Sequence, residues 1–149
     1  LMHDNMKLVG GVNYTKEEIK FAEEIQKTLK TPKLIESASE IKPMIFTYGK
    51  ASADTGDVSW NAPTAAVRAA TWVPGTPPHS WQAVAAGGTD IGFKGMMVAA
   101  KTMALTAIDI YEKPAILKEV KAEFENRRGA DFKYEALLGD RKPALDYRK

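Results

Sequence analysis

Few side chains in this 149-residue sequence are of a type that does chemistry, so each can be weighed in turn. There is no cysteine, which excludes a thiol nucleophile, a disulfide framework and every thiolate metal site. His3 and His79 are the two histidines, too few for a self-contained histidine cluster. Asp54, Asp57 and His79 are oxygen and nitrogen donors of the kind that zinc or manganese accepts. A plainer reading stands beside that one. Aspartates in a Gly-containing loop commonly bond to their own backbone, and a histidine after Pro77-Pro78 is an ordinary loop residue. Ser80 next to His79 does not make a nucleophile and base, because neighbours in an extended loop point in different directions and no G-x-S-x-G elbow is present. The Gly-rich stretch 87–95 lacks the Gly-Lys-Ser/Thr ending of a phosphate loop, since Phe93 follows Gly92. The G-x-G-x-x-G dinucleotide pattern is missing too.

The elements that must position these groups are legible to different degrees. Thr15 and Glu18 have the spacing of a capping box, and Ile19, Ala22, Ile25 and Leu29 continue it at helical period until Thr31-Pro32 ends the helix. Met2 to Val9 suits a short helical stretch closed by Gly10-Gly11. Met44–Tyr48, between Pro43 and Gly49, reads as a short buried strand, and residues 51–60 as a polar loop. The alanines of 64–72 favour helix, but the segment is short and boxed in by prolines, and it is expected as a strand. Phe93 to Tyr111 is apolar nearly all round and is expected as a central buried helix. A last helix begins near Pro114, buries Leu117, Val120 and Phe124, and stops at Gly129.

Composition bounds the rest. At 16.3 kDa and 44% hydrophobic residues the chain is one domain's worth of sequence with material for a core. Lys and Arg number 21 against 19 Asp and Glu, dispersed along the chain, so the basic face of a nucleic-acid binder is not evident. No uninterrupted apolar run reaches eighteen residues, and Leu1-Met2-His3-Asp4-Asn5 is not a secretory leader. The expectation is a cytoplasmic protein with neither nucleic acid nor membrane as partner.

Four stretches carry a resemblance: Ser52-Ala53-Asp54-Thr55-Gly56-Asp57-Val58-Ser59-Trp60, Ala69-Ala70-Thr71-Trp72, Gly75-Thr76-Pro77-Pro78-His79-Ser80-Trp81-Gln82 and Lys94-Gly95-Met96. Together they resemble the aminobenzoyl-glutamate utilisation subgroup of the dinuclear metal amidohydrolases, relatives of aminoacylase and carboxypeptidase G. The likeness runs from about Leu8 to Tyr147. Members of that family are about three times as long. The resemblance therefore implies an α/β fold: the C-terminal part of a zinc-peptidase-like catalytic domain, a few strands with flanking helices. The first half of that domain and a lid and dimerisation domain would be absent.

By the same resemblance the intact enzyme cleaves the amide of an N-acyl amino acid such as aminobenzoyl-glutamate, using two divalent ions, zinc or manganese. Such ions lower the pKa of a bound water towards about 7 and polarise the carbonyl. His79 matches one histidine ligand; the other ligands and the general-base glutamate would lie in the absent half. Asp54 and Asp57 would shape their loop or support ligands from behind, and Thr76, Gly88 and Gly92 would line the substrate cleft. Three consequences are expected: the chain alone holds no metal stably and is inactive, its partner is the missing half of its own domain, and the isolated segment self-associates. The alternative is a non-catalytic binding or assembly domain that keeps the fold without the metal site.

Overall fold

A computed structural model describes residues 1–46 and 53–146. Among the described residues six α-helices follow in order: α1 (Met2–Val9), α2 (Lys16–Gln26), α3 (Thr55–Asn61), α4 (Trp81–Gly87), α5 (Asp90–Glu112) and α6 (Pro114–Arg128), with a 3-10 turn at Ile35–Ala38. The chain divides into two units. The first comprises residues 1–47 and 65–114, the second 48–64 and 115–149.

The α/β expectation is corrected: among the described residues all regular structure is helical, with no strand. Residues 64–71 form neither helix nor strand. The backbone hydrogen bond made inside that segment is local, Thr71 N–H to the Ala69 carbonyl at 3.0 Å. A strand exists only against a second backbone that completes its ladder, and nothing described in the first unit offers one. Met44–Phe46 likewise carry no strand and are exposed; the remainder of that expected strand lies outside the described residues. The polar loop expected over 51–60 is corrected in part, since Thr55–Asn61 is helical.

In the first unit the capping box forms as its spacing requires. The Glu18 N–H donates to Thr15 Oγ1 at 3.2 Å, and the Thr15 N–H donates to Glu18 Oε2 at 2.6 Å. Ala22 and Ile25 from α2 and Leu29 beyond its end then meet Val73, Ala86 and Ile91 in one apolar cluster. Val12, Ala38 and Val98 form a second.

α5 holds this unit together, though not by the surface its composition suggests. Its buried positions are Ile91, Gly92, Gly95, Val98, Thr102 and Thr106, a row of mostly small side chains. Small residues let backbones come close. A Cβ on Gly92 would stand 2.2 Å from the Gly87 carbonyl oxygen, and one on Gly95 2.4 Å from that of Ala70. α1 lies on the same helix, where the Asn5 side-chain amide donates to Thr106 Oγ1 at 3.2 Å and to Asp109 Oδ2 at 2.8 Å. The bulky residues Phe93, Met96, Met97, Met103 and Ile108 are exposed, so the expectation of a helix buried all round is also corrected. By length and mean hydropathy of 1.3, α5 is able to cross a membrane, a property it shares with central helices of globular folds. Its bonds to α1 and its close approach to residues 70–71 place it inside a folded unit.

The second unit contains α3 and most of α6. Trp60 and Phe132 stack with ring centroids 4.6 Å apart, and the Tyr134 hydroxyl donates to Asp57 Oδ1 at 2.7 Å. α6 has no buried residue; Leu117, expected at the centre of its inward stripe, is 51% exposed.

Candidate functional site

His79 ends a run that begins at the buried Val73. The backbone turns at Gly75, whose φ is 96°, and the Thr76 N–H donates to the Val73 carbonyl at 3.0 Å. Pro77 and Pro78 stiffen the approach to the histidine. His79 has a φ of 56°, the left-handed region, and among the described non-glycine residues it alone does so. That conformation costs an L-residue of order 1–2 kcal/mol and is held only where the surroundings impose it. Here the next residue does so. Ser80 caps α4, accepting from the Ala83 N–H at 3.2 Å while its own hydroxyl donates to the Pro77 carbonyl at 2.8 Å. His79 is thereby held at the surface, on the wall of an open cavity of about 450 Å³ shared with Trp72, Ser80, Trp81, Ala83 and Val84.

The other candidates of the first unit do not line that wall. Gly88 follows α4 with open space around it, and Gly92 is buried where the end of α4 meets α5. Thr76 has its hydroxyl shielded from solvent without a hydrogen-bond partner. None of the three lines the cavity. Asp54 and Asp57 belong to the second unit. Asp54 precedes α3 without a side-chain capping bond, and Asp57 accepts from Tyr134. That hydrogen bond, then burial and the carboxylate charge, push the Tyr134 phenol up.

Among the described residues no three His, Cys, Asp or Glu side chains converge as a metal site would require. The donors present do not by themselves fit a metal centre; one exposed imidazole fits as a single ligand and no more.

Among the described ion pairs of the first unit, the least exposed joins α2 to α5. Lys94 Nζ lies 2.6 Å from Glu18 Oε2 and donates to the Asn13 carbonyl at 3.0 Å. Burial pushes the Glu18 carboxyl up, but the Lys94 ammonium and the Thr15 N–H together hold it below the ordinary carboxylate value. Tyr14, beside them, is pushed up to about 12 by burial and by the Glu18 charge. The role here is to lock α5 onto α2.

Among known proteins, a p-aminobenzoyl-glutamate hydrolase subunit of Escherichia coli (strain K12) is 32% identical to this chain, over an alignment of 150 positions. The chain resembles part of that subunit. The alignment takes in 83% of the chain, which spans 31% of that relative's length. No family model and no solved structure matches. The motifs around His79 are thus those of a chain similar to part of that hydrolase. Sequence reasoning passed over Trp72 and Trp81 as cavity walls, and the Lys94–Glu18 bridge. The two tryptophans flank the Gly75–Ser80 turn in sequence, which is a visible signal. Nothing local announces an ion pair between residues 76 apart.

Proposed function

We propose that this chain is the C-terminal portion of the catalytic domain of a metal-dependent amidohydrolase that cleaves the amide of an N-acyl amino acid such as aminobenzoyl-glutamate. The likeness to the p-aminobenzoyl-glutamate hydrolase over 83% of the chain carries the proposal. The geometry at His79 supports it: a strained backbone, maintained by the Ser80 cap, presents an imidazole outward at a cavity instead of burying it. Two divalent ions, zinc or manganese, would supply an activated water and polarise the carbonyl. His79 is the one ligand this chain contributes, the remaining ligands and the general base coming from sequence outside it. The Pro77–Ser80 turn does the positioning. The exposed faces of Phe93, Met96, Met97 and Met103 on α5 are the surface that the rest of the catalytic domain covers. Asp57, on α3, accepts from Tyr134 and ties that helix to the segment after α6.

The test uses the polypeptide that carries this chain together with its upstream sequence. It should hydrolyse 4-aminobenzoyl-glutamate with zinc or manganese added, and His79→Ala should lower turnover by no less than the about 10–100-fold that losing a group supporting a metal ligand costs. Unchanged turnover in the variant removes His79 from the chemistry.

A further inference from the structure

The cavity beside His79 has a chemistry of its own. Its walls are the indoles of Trp72 and Trp81, the apolar Ala83 and Val84, and Ser80, whose hydroxyl is committed to the Pro77 carbonyl and the Ala83 N–H. Among the described residues His79 is the one titratable side chain on that wall, and no acidic group, lysine or arginine lines it. At about 450 Å³ it falls within the roughly 300–1,000 Å³ usual for small-molecule sites. Trp81 is 59% exposed and Val84 80%, and among the described residues neither indole stacks on another aromatic ring. Large apolar groups left open around one histidine suit a ligand better than they suit water.

The walls are also pre-set. Trp72 follows residues 70–71, which lie against Gly95 of α5, and its carbonyl accepts from the Tyr14 hydroxyl at 3.4 Å. Its Nε1 lies 3.8 Å from where a Cβ on Gly87 would stand, an ordinary contact distance that sets the indole beside the end of α4. Trp81 opens α4 directly after the capping Ser80, and Val84 is three residues on, on the same face. A site that needs no ordering keeps more of its contact energy as affinity.

We infer that the cavity walled by Trp72, Trp81 and Val84 is the subsite for an aromatic acyl group, holding the aryl ring of an aryl carboxamide with its carbonyl towards His79. Flat π-faces and the lack of any cation favour the neutral aryl end of such a substrate over its acidic amino-acid end. The acidic end then points away from this wall. The inference rests on the hydrolase reading for its orientation but reads out without catalysis.

The tryptophans supply the measurement, because the chain has three and Trp60 lies in the other unit. In a ¹⁵N-correlated NMR spectrum of the full chain without metal, 4-aminobenzamide should shift the indole N–H signals of Trp72 and Trp81 and leave that of Trp60 in place. N-acetylglutamate should shift none of them. Trp81→Ala should weaken the effect on Trp72 at least about tenfold. Val84→Asp, at a position too exposed to matter for folding, should weaken it as well. Static Trp72 and Trp81 signals at millimolar 4-aminobenzamide, equal shifts with N-acetylglutamate, or unchanged affinity in both variants overturn the inference. His79→Ala separates the two readings. Aryl binding that survives in a variant whose parent enzyme keeps full turnover refutes the hydrolase role of His79 and leaves the subsite standing. Lost turnover together with static indole signals does the reverse.

Discussion

Individual residues in this chain are held by neighbours close in sequence and then used at a distance. Glu18 is the clearest case. Its carboxylate closes the capping box with Thr15 and also receives the Lys94 ammonium from α5. Glu18→Ala removes both and should lower stability by about 2 kcal/mol in urea unfolding, combining a lost cap with a lost charge-assisted bond. Glu18→Gln, which keeps a capping side chain but no charge, should cost about half as much. The pH dependence has a definite sign. Because the folded value lies below the unfolded one, the stabilisation is complete above the ordinary carboxylate pKa and disappears as pH falls through the lowered folded value. The gap between the native chain and Glu18→Gln should therefore close in acid; a constant gap from about pH 7 to about pH 2.5 would show that Lys94 contributes nothing. His79 follows the same logic, its φ of 56° sustained by the Ser80 cap on one side and two prolines on the other.

At the scale of elements, α5 decides the first unit. Its buried row is built from Ile91, Gly92, Gly95, Val98, Thr102 and Thr106, so close approach, more than bulk, is what it supplies. Thr102 and Thr106 turn their hydroxyls back onto carbonyls four residues earlier, both at 2.8 Å, and so enter the interior satisfied. Gly95→Ala tests this directly. The new methyl would stand 2.4 Å from a backbone carbonyl oxygen, which cannot swing aside as a side-chain tip can. Thermal unfolding should show a loss of about 2–3 kcal/mol, typical of an overpacked interior, although alanine is the better helix former. A gain in stability would mean that residues 70–71 do not press on α5 at all.

For the molecule as a whole, the exposed apolar surface calls for a cover. Phe93, Met96, Met97, Met103 and Ile108 on α5 are each about half exposed, and in the second unit Leu137 and Leu145 are almost wholly so. Soluble monomers rarely leave contiguous patches beyond a few hundred Å² uncovered. Purified without any further polypeptide, the chain should sediment above its 16.3 kDa monomer mass. It should also give no hydrolysis of 4-aminobenzoyl-glutamate with zinc or manganese, since one imidazole cannot hold and activate a metal-bound water. A clean monomer would show that the exposed faces need no cover, and turnover by the chain alone would place the whole metal site within it.

Local chemistry was legible in the sequence wherever neighbours in the chain settle the outcome. The Thr15–Glu18 box, the helix of Met2–Val9 and the turn leading to His79 all depend on contacts within a few residues, whereas α2 ends at Gln26, short of the stop expected at Thr31-Pro32. So does the motif resemblance, which the 32% identity to the Escherichia coli hydrolase bears out. Tertiary structure decided the rest. Residues 64–72 have a composition that suits more than one backbone, and strand formation requires a partner that this segment does not find; it lies against Gly95 instead. The apolar belt of 93–111 told that a helix forms but not which face is buried. That was settled by where glycines and threonines let α1, the end of α4 and residues 70–71 come close. The Lys94–Glu18 bridge, and the meeting of Trp72 with Trp81 beside His79, are pairings set only when the chain has folded. Hydrophobic period and capping rules act over a few residues, whereas these contacts are chosen by how whole elements pack.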